Sequence, residues 1–383
     1  MNKLLVEGWR GISHSYAMVN QYQLLELRKN SIDLRFKDIP FYRQEWADER
    51  NHSGFSRLQM EEIYSIPSPG ADEKIEVNYR IGFPYFMHPS NCEKLFVFGT
   101  SEFQRITEGM IFQGASKKNY KQLDLNIITP SNWSKIGFIN AGFDQEHIKV
   151  IPHGVDFSIY KPLGDAGRLR YRNLIGAGKD NFVILSIGAM SDNKGIDLLL
   201  MAYLELHNKY PQIKLVLKDQ RGIHGVSAQD LVRQICAAKN INISSGAASE
   251  ALAKIVFIGQ NLNLEQLNGL YGAADLYVSP YRAEGFNMPP LEAAAAGTPI
   301  LVTAGGSTDD YVDNSFAMKI DSQIKHDGDT TFLEPDYESL VKKISIMIEG
   351  GNSDINYKRA VEFIRKDFTW SAVVKKMLNE FGM

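Results

Sequence analysis

The strongest constraint on the fold is a series of short apolar runs that alternate with helix-compatible segments, and the series occurs twice. In the first half of the chain the runs are KLLVEG, KLFVFG and LNIITP. In the second half they are NFVILSI, IKLVLKD, KIVFIG, ADLYVSP and TPILVT. Runs that are apolar throughout are typical of strands covered on both faces, and strand–helix alternation favours parallel pairing. We therefore predict an α/β fold with two doubly wound, Rossmann-like parallel sheets.

The length of 383 residues fits two domains of this kind better than one. We expect the first domain at residues 1–158 and the second at residues 181–365. Residues 159–180 contain glycines, a proline and several charges, a composition typical of an interdomain linker or hinge. The last segment, residues 366–383, has a helical pattern, and we expect it to pack back on the first domain.

Charge and cysteine content exclude several classes of protein. The net charge is −3, so there is no overall basic field of the kind that binds nucleic acid. Two cysteines, Cys92 and Cys236, are too few for a disulfide framework or a metal cluster, and they suit a reducing cytosol. No run has the roughly 18 consecutive apolar residues of a membrane-spanning helix, and the N-terminus lacks a signal-peptide pattern. We expect a cytoplasmic protein, with a peripheral contact at the inner membrane face left open.

The segment EGFNMPPLE, residues 284–292, carries the most information about function. It follows the strand-like run ADLYVSP, and ligands of doubly wound sheets bind beyond the carboxyl ends of the strands. Its Pro-Pro pair fits the first turn of a helix, so Gly285 lies just before a helix N-terminus, where backbone N–H groups receive anions or hydroxyls. Glu284 and Glu292 can each accept hydrogen bonds from a vicinal diol. Glu292 taken alone is equally consistent with a dipole-stabilising surface role.

This segment resembles the Glu-x7-Glu signature of retaining glycosyltransferases of family 4, which have the GT-B fold. Other segments resemble that family in the same order, and together they cover residues 126–312. They are IPHGVDFSIYKP, SIGAMSDNKGIDLLLMAY, KIVFIGQ, YGAADLYVSPY and AAGTPILVTAGG. The first 125 residues match only in outline, through VEGWRG, YRIGFPY and FVFGTSEF. The resemblance implies two Rossmann-like domains that face a central cleft.

The resemblance also implies roles for the residues of this segment. Glu292 is expected to hold the ribose hydroxyls of a nucleotide. Glu284 is expected to hold the donor sugar and its phosphates together with the backbone of Gly285, Phe286, Asn287 and Met288. The family usually has a second glycine where Asn287 stands, and asparagine is among the few other residues that tolerate a positive φ. The Asn287 side chain is a candidate for reading a sugar hydroxyl.

Two lysines are candidates for binding the diphosphate. Lys194, in SDNKG, stands where the family has a diphosphate-binding lysine, and the alternative is a solvated loop lysine. The family commonly has an arginine where this chain has Ala189, so one expected cation is missing. Lys218 ends the run IKLVLK and is a candidate replacement, with a plain surface lysine as the alternative.

The loop GWRGISHS follows the first strand-like run of the chain. The family packs a glycine-containing loop against the phosphates here, which nominates Gly11. His14 is a candidate for contacting the donor or acceptor sugar, although a lone loop histidine is often only a surface or hydrogen-bonding residue.

The resemblance therefore implies a metal-independent, retaining hexosyltransferase with a nucleoside-diphosphate sugar as donor and no cofactor. The expected acceptor is a saccharide or lipid-linked saccharide, in the synthesis of a cell-surface polysaccharide or glycoconjugate. We expect no metal site and no nucleic-acid partner, and the oligomeric state is left open. A non-catalytic nucleotide-sugar-binding protein and a GT-B sugar-nucleotide epimerase are the alternatives.

Overall fold

The chain forms two α/β units in the computed structural model, which describes residues 3–49, 53–112, 125–350 and 357–383. The first unit comprises Met1–Gly154, Gly328–Thr331 and Asp367–Met383. The second unit comprises Val155–Asp327 and Phe332–Lys366.

The first unit contains a six-stranded parallel sheet in the order β2-β1-β3-β4-β5-β6. Its strands are β1 (Lys3–Gly8), β2 (Asp33–Asp38), β3 (Ile75–Ile81), β4 (Cys92–Phe98), β5 (Leu125–Thr129) and β6 (Ile148–Val150). Because β2 lies on one side of β1 and the later strands lie on the other, the strand order changes direction beside β1.

The second unit contains a six-stranded parallel sheet in the order β12-β11-β10-β7-β8-β9. Its strands are β7 (Phe182–Ile187), β8 (Ile213–Lys218), β9 (Val256–Ile258), β10 (Leu276–Ser279), β11 (Ile300–Thr303) and β12 (Met318–Ile320). A separate pair consists of β13 (Ser322–Asp327) and β14 (Thr330–Pro335). The central strands are buried on both faces, which explains their apolar runs. The predicted α/β fold with two parallel sheets is confirmed.

Helices follow most of the strands. They are α1 (Ser15–Leu27), α2 (Arg57–Tyr64), α3 (Asn132–Asn140), α4 (Asp165–Leu174), α5 (Ile196–Lys209), α6 (Arg221–His224), α7 (Ala228–Ala238), α8 (Gly246–Ala253), α9 (Leu264–Ala273), α10 (Met288–Ala295), α11 (Tyr337–Ile348), α12 (Tyr357–Asp367) and α13 (Trp370–Phe381). Among the residues described, no helix combines the length and the apolar composition needed to cross a membrane.

The C-terminal helix α13 packs within the first unit. The Trp370 ring stacks on that of Tyr22 in α1, with 4.9 Å between the ring centroids and an interplanar angle of 12°. At the other end of α13, Phe381 contacts the rings of Tyr79 and Phe96, and its carbonyl accepts a 3.0 Å hydrogen bond from Lys94. The first unit includes Asp367–Met383, within one residue of the segment expected at residues 366–383, and α13 is its helix.

Residues 159–180, expected to be a linker, instead belong to the second unit and contain α4. Arg168 and Arg172 of α4 form ion pairs with Asp275, at 2.5 Å and 2.9 Å, and Arg172 is 5% exposed. These arginines, which suggested a solvated segment, anchor the helix beside β10. Along the chain, the first change from one unit to the other falls between Gly154 and Val155.

Candidate functional site

The candidate site lies in the second unit, where the strand order changes direction. β7 and β10 are parallel neighbours, but β8 and β9 continue on one side of the pair while β11 and β12 continue on the other. In doubly wound sheets a ligand crevice lies at such a reversal, beside the loops that leave the carboxyl ends of the two strands. One loop runs through residues 188–195 and the other through residues 280–287.

The loop after β10 leads directly into α10. Asn287 precedes the helix with φ 70°, in the left-handed region that asparagine tolerates. Its amide donates a 2.9 Å hydrogen bond to Ser279 Oγ, and its carbonyl accepts a 2.5 Å bond from the Tyr311 hydroxyl. One N–H of the Asn287 side chain thus holds the loop to β10, and its role toward a sugar hydroxyl stays a prediction.

Gly285, Phe286 and Met288 complete this loop. The Phe286 side chain is 3% exposed and packs on the Tyr311 ring, with 4.9 Å between centroids, so only its backbone is available to a ligand. Met288 begins α10, and Pro289 follows it in the first turn. The first N–H groups of a helix have no intrahelical acceptor, so this end of α10 is suited to an anion or a hydroxyl.

The loop after β7 approaches the loop after β10 closely. It forms a short 3₁₀ turn over Asp192–Lys194 and ends at Gly195, which has φ 67°. A Cβ atom at Gly195 would lie 1.9 Å from the Pro280 carbonyl oxygen, so a residue without a side chain is required there. The close approach of the Gly195 backbone to the Pro280 carbonyl places the turn that carries Lys194 against the loop that carries Glu284.

Lys194 and Glu284, two predicted site residues that are 90 positions apart, form an ion pair. The Lys194 ammonium donates to Glu284 Oε1, and the two side chains are 21% and 6% exposed. Because water has little access to Glu284, the pair interacts more strongly than a surface ion pair. The structure thus brings together an ammonium and a carboxylate that were both predicted for the site.

Glu292 lies on α10 and is held by tyrosines. The Tyr271 hydroxyl donates a 2.7 Å hydrogen bond to Glu292 Oε2. Burial raises the pKa of the Glu292 carboxyl, and hydrogen bonds from Tyr271 and Tyr160 only partly offset this effect. Glu292 is therefore not a freely solvated residue at the start of a helix. Tyr271, which holds Glu292, was not among the predicted site residues, although it begins the segment YGAADLYVSPY.

Lys218 ends β8, next to β7, and is buried with 5% exposure. Its carbonyl accepts a 3.1 Å hydrogen bond from Gly188 N, so it adjoins the loop that carries Lys194. Its ammonium donates to the backbone carbonyl of Asp219, while the Asp219 carboxylate accepts bonds from Arg221 N and Ala228 N. Burial lowers the pKa of the ammonium, and the nearby Asp219 opposes this shift. The burial contradicts the alternative of a plain surface lysine.

Gly11 and His14 lie in the first unit. Gly11 has φ 88°, and its N–H donates a 2.7 Å hydrogen bond to Gln21 Oε1. His14 caps α1, where its Nδ1 accepts a 3.2 Å bond from Tyr16 N. An accepting Nδ1 places the proton of the neutral ring on Nε2, which makes that atom a hydrogen-bond donor. The His14 ring also contacts the rings of Trp9 and Trp46, with 5.1 Å and 4.8 Å between centroids.

Metal ligands are not grouped in the part of the chain that the structure describes. Within it, no three His, Cys, Asp or Glu side chains lie close enough together to hold a metal ion.

Two units with doubly wound parallel sheets define the GT-B class of fold, and solved structures similar to this chain have the same fold. A glycosyltransferase from Rickettsia africae ESF-5 superposes with a TM-score of 0.70 at 14% identity, over 99% of this chain and 98% of that one. Anabaena Alr3699/HepE, solved in complex with UDP-glucose, superposes with a TM-score of 0.66 at 15% identity, over 100% of both chains.

The chain belongs to the family Glycosyl transferases group 1, whose family model matches residues 168–366. A mannosylfructose-phosphate synthase of Agrobacterium fabrum is 28% identical over 262 residues, which cover 68% of this chain and 53% of that protein. A D-inositol 3-phosphate glycosyltransferase of Corynebacterium jeikeium is 31% identical over 166 residues, or 43% and 38% of the two chains. The chain therefore matches about half or less of the length of these relatives. The resemblance drawn from the motifs is confirmed.

Proposed function

We propose that this chain is a retaining glycosyltransferase that moves a sugar from a nucleoside-diphosphate donor to a hydroxyl of a saccharide or lipid-linked saccharide. We place it in the synthesis of a cell-surface polysaccharide or glycoconjugate. The observation that carries the proposal is the Lys194–Glu284 pair at the crevice between β7 and β10, beside the N-terminus of α10. The similarity to a structure solved with UDP-glucose supports a nucleotide-sugar donor.

Different residues of the second unit bind different parts of the donor. Glu292 accepts hydrogen bonds from the ribose hydroxyls, and the N–H groups before α10 face the phosphates. The diphosphate competes with Glu284 for the Lys194 ammonium, because both are anions within reach of one cation. The Glu284 carboxylate is then available to hydroxyls of the donor sugar.

In the transfer step, the bond between the sugar C1 and the phosphate oxygen breaks while the acceptor oxygen bonds to C1 on the same face. The departing phosphate accepts the acceptor's hydroxyl proton, so no protein nucleophile is needed. Negative charge grows on the phosphate as the bond breaks. Lys194, Lys218 and the helix-terminal N–H groups stabilise that charge from fixed positions. In the first unit, we assign Gly11 to the phosphates and His14 to a sugar hydroxyl, to which it donates from Nε2.

A screen of nucleotide sugars by thermal shift, followed by product analysis, tests the function. A bound donor raises the melting temperature by mass action and identifies the nucleotide. Mass spectrometry and NMR of the products then show whether sugar reaches an acceptor with its anomeric configuration kept. Donor binding without transfer would favour the non-catalytic alternative, and conversion of the donor sugar without acceptor would favour the epimerase.

Chelation is expected to leave the transfer rate unchanged. The diphosphate charge is assigned to Lys194, Lys218 and backbone dipoles, so the reaction needs no divalent cation. The measurement is the initial rate after exhaustive dialysis against EDTA, with an undialysed sample as control. Loss of transfer that magnesium or manganese restores would contradict the assignment of the charge to these groups.

Lys218→Met is expected to lower kcat by about tenfold, the effect of losing about 1.4 kcal/mol of transition-state stabilisation. The melting temperature at neutral pH is expected to stay the same or rise. The lowered pKa means that the charged ammonium disfavours the folded state below the pKa of the unfolded lysine, and methionine removes this cost. A lower melting temperature with an unchanged kcat would show that Lys218 only supports the fold.

A further inference from the structure

Arg282 joins the helix that follows the Lys194 turn to the loop that carries Glu284. Its guanidinium binds the Asp197 carboxylate in a two-point contact, with Nη1–Oδ1 at 2.8 Å and Nη2–Oδ2 at 2.9 Å. Asp197 lies in the first turn of α5, immediately after the Lys194 turn, and Arg282 lies two residues before Glu284. The Arg282 side chain is 19% exposed. A bidentate contact between a guanidinium and a carboxylate restricts the relative orientation of the two groups.

The same residue is also bonded to the Lys194 turn itself. Arg282 Nη1 donates to the Asp192 carbonyl at 3.1 Å, and Arg282 N donates to the Asn193 carbonyl at 2.7 Å. Asn193 Nδ2 donates in return to the Ala283 carbonyl at 2.9 Å. Asn193 and Ala283, which these bonds join, are the sequence neighbours of Lys194 and Glu284.

A third segment, β14, holds Arg282 from the other side. Nε and Nη2 of Arg282 lie 3.3 Å and 3.4 Å from the Glu334 carboxylate oxygens. The Arg282 carbonyl accepts a 2.8 Å hydrogen bond from Leu333 N. Burial opposes ionisation of Asp197, but the hydrogen bonds from Arg282 outweigh it and lower the pKa of that carboxyl. The Asp197 carboxylate is therefore charged at neutral pH, and Arg282 is held by three segments of the chain.

We propose that Arg282 is a positioning residue for the Lys194–Glu284 pair: it locks the turn after β7 to the loop after β10, so that the ammonium and the carboxylate keep their relative geometry. The proposal rests on the proposed function, in which Lys194 stabilises charge on the departing phosphate. Lysine has a flexible four-carbon stem, so the position of its ammonium depends on how firmly the backbone beneath it is held. A misplacement of about 1 Å at a reacting centre can lower a rate by about 100-fold.

The first experiment compares Arg282→Met with Arg282→Lys and with a matched control, Arg168→Met. Arg168 also binds a carboxylate and two carbonyls of the second unit, those of Asp275, Gly272 and Ala274, but it is not bonded to either loop. Arg282→Met is expected to lower kcat by about 10-fold to 100-fold with little change in the donor KM, and Arg282→Lys to restore part of the loss. Arg168→Met is expected to lower the melting temperature without lowering kcat. Equal effects of the two methionine variants on kcat would overturn the proposal.

A second experiment asks whether Arg282 acts through Lys194. In a Lys194→Met background, Arg282→Met is expected to have no further effect on kcat, because the group that it positions is gone. If the effects of the two substitutions on the free energy of activation simply add, Arg282 acts independently of Lys194 and the proposal is wrong.

A third measurement needs no transfer reaction. The Lys194 amine is labelled with acetic anhydride in the absence of donor, and its rate of modification is read by mass spectrometry. Arg282→Met is expected to raise that rate, because the ion pair with Glu284 loosens, whereas Arg168→Met is expected to leave it at the wild-type value. An unchanged rate in Arg282→Met contradicts the positioning role. A raised rate in a protein that transfers no sugar supports the positioning role and refutes only the proposed function.

Discussion

Lys194→Ala is expected to lower kcat by about 10²–10³-fold, while donor affinity falls much less. This is the scale of effect seen when one preorganised electrostatic donor is removed from an active site. The reason is that charge on the departing phosphate grows during the reaction, so a fixed ammonium stabilises the transition state more than the bound donor. Steady-state rates with the donor identified by thermal shift, together with calorimetric affinities for it, measure the two effects separately.

A loss of folding stability must be separated from a loss of catalysis in this variant. Removing Lys194 leaves the Glu284 carboxylate, 6% exposed, without its cation, and an unpaired buried charge destabilises a fold. The double variant Lys194→Ala/Glu284→Gln removes that charge, so it is expected to regain stability without regaining activity. Lys209→Ala serves as a control, since Lys209 forms an exposed pair with Glu349 at 3.0 Å. If Lys194→Ala changes only KM, Lys194 binds the donor without assisting transfer.

Glu292→Gln is expected to weaken binding of the nucleoside diphosphate by about 1.5–3 kcal/mol, or roughly 10-fold to 150-fold, the range for hydrogen bonds to a charged group. Glutamine keeps the shape of the side chain but offers the ribose a weaker acceptor. The loss is expected to vanish for 2′,3′-dideoxynucleotides, which have no hydroxyls to donate. Isothermal calorimetry measures both affinities. Glu265→Gln, at an exposed position in the first turn of α9, is the control.

The raised pKa of Glu292 adds a pH dependence to this prediction. Nucleotide affinity of the wild type is expected to fall as the pH drops through that raised value, because protonation removes the charged acceptor, whereas the affinity of Glu292→Gln stays flat. A raised pKa in the folded state also means that ionisation at neutral pH disfavours folding. The variant is therefore expected to melt no lower than the wild type. Unchanged affinity at neutral pH would remove Glu292 from the site.

The partners of charged residues are what the sequence alone could not predict. Arg168 and Arg172 suggested a solvated linker, but both bind Asp275, more than 100 positions later. In the same way, Arg80 of β3 is buried against Glu7 at 2.6 Å, and the two residues are 73 positions apart. A charge buried with its partner and one left in water look alike in a sequence, because the partner is distant along the chain.

The sequence by itself determined the two parallel sheets and the helix start after the loop EGFN. These features follow from local causes: apolar runs that need cover on both faces, prolines that fit a first helical turn, and an asparagine that tolerates φ 70°. Only the tertiary structure decided the pairing of Lys194 with Glu284, the support of Glu292 by Tyr271 and the junction at Arg282. The Lys194–Glu284 pair and the Arg282–Asp197 contact join residues 90 and 85 positions apart, which the neighbouring strands β7 and β10 bring side by side. Their geometry therefore depends on the order of the strands in the sheet, which no local pattern encodes.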